Sequence, residues 1–161
     1  MRRGALSVCV AAWFAVLAAP GAAPSTVAAT GSALTARDNS LIAAVNAERA
    51  LTLLPKLRLD YRLTHAARAH SLDMLRRDYF GHGNFIGRMS RFHVRGAMFA
   101  ENLAWGSGVM SAGSVLAHWI SSPTHRAILL DPHLHRIGVA TPIGAFDGFS
   151  RATMVTADFA G

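Results

Sequence analysis

Residues 100–106 read Ala100-Glu101-Asn102-Leu103-Ala104-Trp105-Gly106, which places a single carboxylate inside an otherwise apolar run. A carboxylate among apolar neighbours has to be paired, hydrogen-bonded or neutralised when the segment is buried. The run therefore predicts a partner for Glu101. That partner is either a functional group that shares a polar cleft or a structural one, such as an arginine or a backbone amide.

Two further short segments each contain one histidine. The first reads Tyr79-Phe80-Gly81-His82-Gly83 and the second reads Ser121-Ser122-Pro123-Thr124-His125-Arg126. His82, Glu101 and His125 lie too far apart in sequence to form a local metal motif, so only the fold can bring them together. The alternative for His82, which stands between two glycines, is a solvated loop side chain.

His125 is predicted in the first turn of a helix that Ser122 caps and Pro123 begins. The free N–H groups at a helix start carry partial positive charge, which disfavours imidazolium and keeps the ring neutral. A neutral imidazole can coordinate a metal ion or accept a proton. The alternative is a ring that only hydrogen-bonds a backbone carbonyl.

The segments before these motifs have helical patterns. A first helix is predicted from a cap at Asp38 or Asn39 to about Ala50, and a second from a cap at Asp60 to about Arg77, with Gly81 as its stop. His82 then lies on the loop beyond it. The second helix has an inward apolar stripe with a hydrogen-bonded core histidine: Leu63, Ala66, Ala67, His70 and Met74.

The rest of the chain changes from helix to strand patterns. Residues 91–95 and 98–104 predict short strands, residues 111–120 a third helix and residues 123–131 a short fourth one. The tail predicts two strands, 137–141 and 151–159, around a turn region with Gly144 and Asp147-Gly148. Helices first and a hairpin late indicate an α+β fold with helices packed on an antiparallel sheet.

The first 29 residues predict a signal peptide. Arg2 and Arg3 precede the apolar run 5–19, which is too short to span a bilayer, and Val27-Ala28-Ala29 offers small residues for cleavage. Residues 30–37 then predict a disordered linker and residues 38–161 a single domain. The protein is thus expected to be secreted, or held at the cell envelope, with no membrane span in the mature chain.

The one cysteine of the chain, Cys9, falls inside that signal. The mature domain is therefore expected to lack disulfides, thiol nucleophiles and zinc-thiolate sites. The net charge of +7 comes almost entirely from arginine, because Lys56 is the one lysine. This charge indicates either a solvated surface or attraction to an anionic envelope polymer or acidic lipid, and its scattered distribution argues against nucleic-acid binding.

Taken in order, these motifs resemble the CAP superfamily (cysteine-rich secretory, antigen 5 and pathogenesis-related 1 proteins) in its cysteine-poor bacterial form. The run 101–106 is similar to the family's Gly-Glu-Asn-Leu/Ile-Ala signature, with Ala100 in place of the glycine. Residues 80–82 are similar to its Phe-Ser-His, and Trp119 with residues 122–129 to its Trp…Ser-Pro-Gly-His-Arg…Ile-Leu block. The last two strands, with Ile137-Gly138-Val139 and Thr156-Ala157-Asp158-Phe159, also match, so the similarity covers about residues 41–159.

The resemblance implies a three-layer α-β-α sandwich with a central antiparallel sheet and a groove lined by two histidines and two acidic residues. His82, Glu101 and His125 match three of those positions, but Ser122 stands where animal and plant members have the second glutamate. Two imidazoles and one carboxylate can still hold a divalent metal such as Zn²⁺. The obvious spare carboxylate for a general base is lost.

Two functions follow as expectations, beside a third in which the protein is an extracellular interaction protein whose polar groove only ties the layers together. The preferred one is a non-catalytic domain that binds a lipid, a sterol or another envelope ligand. The alternative is a metal-dependent extracellular hydrolase, in which Glu101 acts on a water bound to a metal at His82 and His125. Two other signals are set aside: His133 and His135 are expected to be solvated, and His118 to lie on a helix face without chemistry.

Overall fold

The computed structural model describes residues 34–161, and it confirms the α+β, three-layer α-β-α architecture. The predicted signal peptide, Cys9 and residues 30–33 of the predicted linker lie outside the described residues. Within residues 34–161, no helix is both long and apolar enough to cross a membrane. The chain forms α1 (Ala36–Leu51), β1 (Arg58–Leu59), α2 (Tyr61–Arg77), α3 (Phe85–Arg91), β2 (Phe99–Ser107), α4 (Ala112–Ser121), α5 (Pro123–Leu129), β3 (Arg136–Ala140), β4 (Ile143–Phe146) and β5 (Phe149–Ala160).

The sheet is built around β5, the longest strand. The strand order is β1-β3-β5-β2, and the start of β5 also pairs with β4 through the Asp147-Gly148 turn. All pairs are antiparallel except β1 with β3, which is parallel and only two residues long. Gly144, which we expected in the turn, lies in β4. In this order β2 is an outer strand, and this position shapes the functional site.

Alternation along β5 sorts its side chains between the two helical layers. Val155, Ala157 and Phe159 face α1, α4 and α5, as the period-two pattern predicts. The opposite face packs against α2, and the approach is closest at Gly138 of β3, where an added Cβ would lie 2.1 Å from the backbone nitrogen of Thr64. Only a glycine permits this contact, so the α2 layer lies directly on the sheet.

The helix starts show how local chemistry sets the boundaries. Asp60 caps α2 as predicted. The cap of α1, however, is Thr35 and not Asp38 or Asn39, because Asp38 occupies the third helical position and accepts a hydrogen bond from the backbone of Thr35. This reciprocal capping box starts α1 at Ala36, two residues inside the segment assigned to the linker.

The region after α2 departs most from expectation. The helix α2 ends at Arg77, as predicted, but the residue that stops it is Asp78, which adopts a left-handed conformation (φ 51°), and not Gly81. Residues 85–91 form the helix α3, which the sequence pattern misses, and no strand forms at 91–95. Asn84 caps α3 by accepting from the backbone of Gly87. A capped helix of only seven residues has too few turns to show a clear apolar stripe.

Candidate functional site

The candidate site is a cleft of about 330 Å³ at the free edge of β2, where the two helical layers meet. The α2 side contributes the loop with His82, and the other layer contributes His118 from α4 and His125 from α5. Residues 103–105 of β2 and the ring of Phe80 supply the remaining wall. The cleft therefore combines imidazoles with apolar surface.

Two side-chain hydrogen bonds hold α4 and α5 against this edge. The indole of Trp119 donates to the backbone oxygen of Leu103 at 2.9 Å, and the amide of Asn102 donates to the backbone oxygen of His125 at 3.1 Å. Trp119 is fully buried in the core, so the first bond is shielded from water. These contacts give Trp119 and Asn102 a positioning role in the cleft.

The structure brings His82 and Glu101 into direct contact. Nδ1–H of His82 donates to Oε1 of Glu101 at 2.7 Å, since an ionised carboxylate can only accept. The His82 side chain is 61% exposed while that of Glu101 is 2% exposed. Glu101 thus orients the His82 ring from below, and Nε2 of His82 is left for the cleft.

The second oxygen of Glu101 is bonded to Arg88 on α3. Arg88 is nearly buried and also donates to the backbone oxygen of His82 at 3.2 Å, so one guanidinium holds both the carboxylate and the histidine loop. Glu101 therefore has both kinds of partner that the sequence left open, a structural arginine and the cleft histidine His82. With both oxygens engaged and almost no exposure, Glu101 does not present a free carboxylate to the cleft.

Asp158 lies directly across from Glu101 in the β2–β5 pairing and is completely buried. Neither carboxylate oxygen has a hydrogen-bond partner among the described residues, and the nearest cation, Arg88, is 3.8 Å away. Burial raises the pKa of Asp158 well above its usual range, and the charge of Glu101 raises it further. The Asp158 carboxyl therefore keeps its proton to a higher pH than an ordinary carboxyl does, and in that form it can donate toward Glu101.

His70 of α2 completes this buried cluster. Its Nε2 lies 3.8 Å from Oε2 of Glu101 and has no hydrogen-bond partner among residues 34–161. Burial lowers the pKa of His70, although the nearby Glu101 charge partly offsets this effect. We call Glu101, Arg88, Asp158 and His70 the buried polar cluster. It contains one carboxylate–guanidinium pair and two groups, Asp158 and His70, whose pKa values burial shifts toward the neutral form.

His125 lies at the third position of α5, where the sequence predicts it. Burial lowers its pKa, and the neighbouring His118 and His82 lower it further. The rings of His118 and His125 have centroids 6.0 Å apart, which makes His118 part of the cleft, contrary to our expectation for it. At neutral pH the cleft therefore presents a neutral His125 ring.

The donor set bears directly on the predicted metal site. No three His, Cys, Asp or Glu side chains within residues 34–161 are arranged to share a metal ion. Direct ligation by Glu101 would require it to leave Arg88 and His82. A carboxylate that holds a histidine by Nδ1–H is typical of the outer shell of metal sites. The residues present therefore fit an ion bound through imidazole nitrogens better than one bound by Glu101 itself.

Several residues of the site carry no sequence signal that assigns them to it. Arg88 lies on the missed helix α3, and Asp158 belongs to a strand whose alternation marks it only as inward-facing. His133 is solvated as expected and bonds to Asp131 at 3.1 Å.

The comparisons with known proteins agree with this fold. The model of the cysteine-rich secretory protein (CAP) family matches residues 42–159. The chain is 32% identical to the Bacillus subtilis protein YkwD over 128 residues, which are 75% of this chain and 49% of that protein. This chain thus spans about half the length of that relative.

Two solved structures are also similar. An extracellular protein with an SCP domain from Bacillus anthracis aligns with TM-score 0.64 and 26% identity, covering 77% of this chain and 40% of that one. An outer surface protein of Borrelia burgdorferi aligns with TM-score 0.64 and 19% identity, covering 74% and 87%, and supports the fold alone. With its family match over most of the described residues, the chain belongs to the cysteine-rich secretory protein (CAP) family.

Proposed function

We propose that this protein is an extracellular, non-catalytic binding domain whose β2-edge cleft takes a lipid with a polar head group. The proposal rests on the environment of the Glu101 carboxylate, which is buried and bonded to both Arg88 and His82. The carboxylate is thus unable to act on a water molecule in the cleft. What the cleft offers is binding surface.

The chemistry of the cleft walls favours an amphipathic ligand. Leu103, Trp105 and Phe80 supply apolar contact area, and His82, His118 and His125 supply ring nitrogens for a polar head. Clefts that combine apolar walls with a few convergent polar groups are the usual form of small-molecule sites. A fatty acid or a sterol has both parts. An anionic envelope polymer would use the imidazoles but not the aromatic wall.

An extracellular location is part of the proposal. The predicted signal peptide at residues 1–29 supports it, as do the extracellular and outer-surface descriptions of the Bacillus anthracis and Borrelia burgdorferi proteins. Export of a reporter fused to residues 1–29, with cleavage after Ala29 shown by N-terminal sequencing, would test this. A reporter retained in the cytoplasm would contradict it.

Tryptophan fluorescence offers a direct test of lipid binding. Trp105 lines the cleft, whereas Trp119 is fully buried and gives a constant background; Trp13, in the predicted signal peptide, is replaced by phenylalanine in every protein of this test. Titration of the full chain with palmitate, and separately with cholesterol, is expected to change the Trp105 emission in a saturable way. In Trp105→Phe the signal should disappear while retention of radiolabelled lipid persists.

Two histidine variants provide the matched comparison. His125→Ala should weaken lipid retention about tenfold, the effect of losing one hydrogen bond of about 1.4 kcal/mol. His133→Ala changes an exposed histidine outside the cleft and should leave retention unchanged. Equal retention in wild type and His125→Ala, or none above that of an unrelated basic protein, would contradict the proposal.

The alternative function, a metal-dependent hydrolase, makes a different prediction. It requires Glu101 to release Arg88 and a divalent ion such as Zn²⁺ to bind at His82 and His125. Casein hydrolysis by the full chain with added Zn²⁺, abolished in both His82→Ala and His125→Ala, would establish it. We expect no such activity, because Glu101 is held away from solvent.

A further inference from the structure

A second cavity, separate from the cleft, has a volume of about 790 Å³ and lies between α2 and α3. Four arginines line it: Arg76 and Arg77 in the last turn of α2, and Arg88 and Arg91 in the last turn of α3. Its size is within the range of small-molecule sites. We propose that this arginine cavity binds the phosphate group of an anionic ligand.

The charges around the cavity do not cancel. Asp73 is the one carboxylate among its lining residues, and it bonds to both Arg76 at 2.6 Å and Arg77 at 3.3 Å. Arg88 is balanced from below by Glu101. Arg91 has no salt bridge with any carboxylate of residues 34–161. The cavity therefore keeps an excess of about two positive charges toward solvent, which a phosphate would neutralise.

The guanidinium groups are also partly ordered before any ligand binds. Arg77 stacks on the ring of Tyr79 at 5.1 Å, and Arg91 lies 6.0 Å from the ring of Phe92. The Tyr79 hydroxyl in turn donates to Asp73 at 3.0 Å. Planar guanidiniums held in this way lose less side-chain entropy when they bind an oxyanion with two parallel hydrogen bonds.

A simpler explanation accounts for each arginine singly but not for all of them together. Cations are favoured in the last turn of any helix because they balance its dipole. The helix dipole does not explain why the last turns of two different helices, α2 and α3, line the same cavity. In addition, Nε of Arg88, at the inner wall, is buried and has no hydrogen-bond partner within the described part of the chain. The concavity thus holds donors that the protein itself does not use.

The test compares two double variants with the same change in charge. Arg77→Gln/Arg91→Gln removes two cations from the cavity. Arg58→Gln/Arg151→Gln removes two exposed cations that lie outside every described cavity. Arg88 is kept in both variants because it holds Glu101. Melting temperatures within about 2 °C of wild type would show that both variants fold, as expected for exposed substitutions.

The full chain is titrated with glycerol 3-phosphate by calorimetry, and its sedimentation with vesicles of phosphatidylglycerol is compared with that of phosphatidylcholine. Both assays use salt of about 0.05 M to limit screening. We expect a dissociation constant of about 1 mM or tighter for glycerol 3-phosphate, weakened at least tenfold in Arg77→Gln/Arg91→Gln and unchanged in the control. The same pattern with phosphatidylglycerol vesicles alone would assign the phosphate to a lipid head group.

Two outcomes would overturn the site. One is the absence of binding in both assays. The other is an equal loss of binding in the two double variants, which would show attraction to overall charge and not to this cavity. Neither outcome bears on palmitate or cholesterol binding at the β2-edge cleft, which is measured through Trp105.

Discussion

The buried polar cluster and the β2-edge cleft both contain histidine and yet differ in what they can do. In the cluster, Glu101 and Arg88 are ion-paired and the Glu101 side chain is almost fully buried. In the cleft, His82 is largely exposed and His125 retains a buried Nδ1 without a partner among the described residues. The cluster and the cleft meet at His82, whose ring bonds to Glu101 and whose backbone oxygen accepts from Arg88.

The difference shows that position relative to the sheet decides the role of a polar residue in this fold. Glu101 and Asp158 are paired across β2 and β5, under the α2 layer, where an unpaired charge is costly. The histidines lie where two layers end at an outer strand, so they keep access to solvent. The first region is expected to respond to mutation through stability and the second through binding.

The largest effect should follow from breaking the Glu101–Arg88 pair. Glu101→Ala leaves a nearly buried guanidinium without its carboxylate, which costs about 3–5 kcal/mol in other proteins. The free energy of unfolding, measured by urea denaturation at pH 7, should fall by that amount. Glu48→Ala, which removes a half-buried carboxylate with no salt bridge among the described residues, should change it by less than about 0.5 kcal/mol.

Similar losses of unfolding free energy in Glu101→Ala and Glu48→Ala would contradict the proposed difference between the buried polar cluster and the cleft. They would mean that Glu101 is not energetically coupled to Arg88, and that its carboxylate is free for chemistry in the cleft. The hydrolase alternative would then regain its general base.

For Asp158→Asn we expect a smaller change in the free energy of unfolding, and we expect an increase. Since the folded-state pKa of Asp158 is raised, the folded protein binds the proton more tightly, and the resulting stability is lost as the pH rises through that pKa. An amide keeps a donor toward Glu101 at every pH. As the pH rises from 4 to 8, the free energy of unfolding should therefore fall less in the variant than in wild type. At pH 8 the variant should be more stable than wild type by on the order of 1–3 kcal/mol.

Parallel stability–pH curves for wild type and Asp158→Asn would contradict this prediction. They would show that Asp158 titrates as an ordinary carboxyl and that the buried polar cluster is better hydrated than its burial implies. Urea denaturation at four or five pH values is sufficient to separate the two results.

Much of this fold was predictable because its signals are local. Asp60 at the start of α2, Pro123 at the start of α5 and the alternation along β5 each reflect a short-range rule of capping or pleating. The helix α3 was not predictable in this way. Its seven residues lie between Gly83 and the turn after Arg91, and its stability comes from packing of Met89 in the core.

The site was predictable only in part for the same reason. His82, Glu101 and His125 could be identified from flanking motifs and from one carboxylate in an apolar run. Their partners could not, because the contacts of Arg88 and Asp158 depend on the position of α3 and on strand register. Sequence indicated that Glu101 needs a partner, but only the fold could show that the partner is Arg88.

Titration of His70 and His125 would compare the buried polar cluster with the cleft through their pKa values. Because burial lowers the pKa values of His70 and His125, both should titrate below the ordinary value of about 6.5. Their contribution to stability is then present above that value and lost as the pH falls toward the folded-state pKa. Ring-proton NMR spectra recorded from pH 4.5 to pH 8 would measure the midpoints.

A matched pair of variants tests the cause of the His125 shift. His118→Gln removes one of the two neighbouring imidazoles that lower its pKa, so the midpoint should move upward. His133→Gln changes a distant exposed ring and should have no effect. An unchanged His125 midpoint in His118→Gln would show that His118 does not contribute to the shift, and that the two rings do not share one cleft.

The smallest effect is expected from metal removal. If Glu101 is held by Arg88 and not by a metal ion, EDTA should shift the melting temperature by less than about 1 °C. Added Zn²⁺, bound through the imidazoles of His82 and His125, should raise it by no more than about 4 °C, or roughly 1 kcal/mol. A fall of more than about 5 °C with EDTA, reversed by Zn²⁺ in wild type but not in His125→Ala, would indicate a resident ion. Glu101 would then be a candidate ligand, and the cluster and the cleft would form one metal centre.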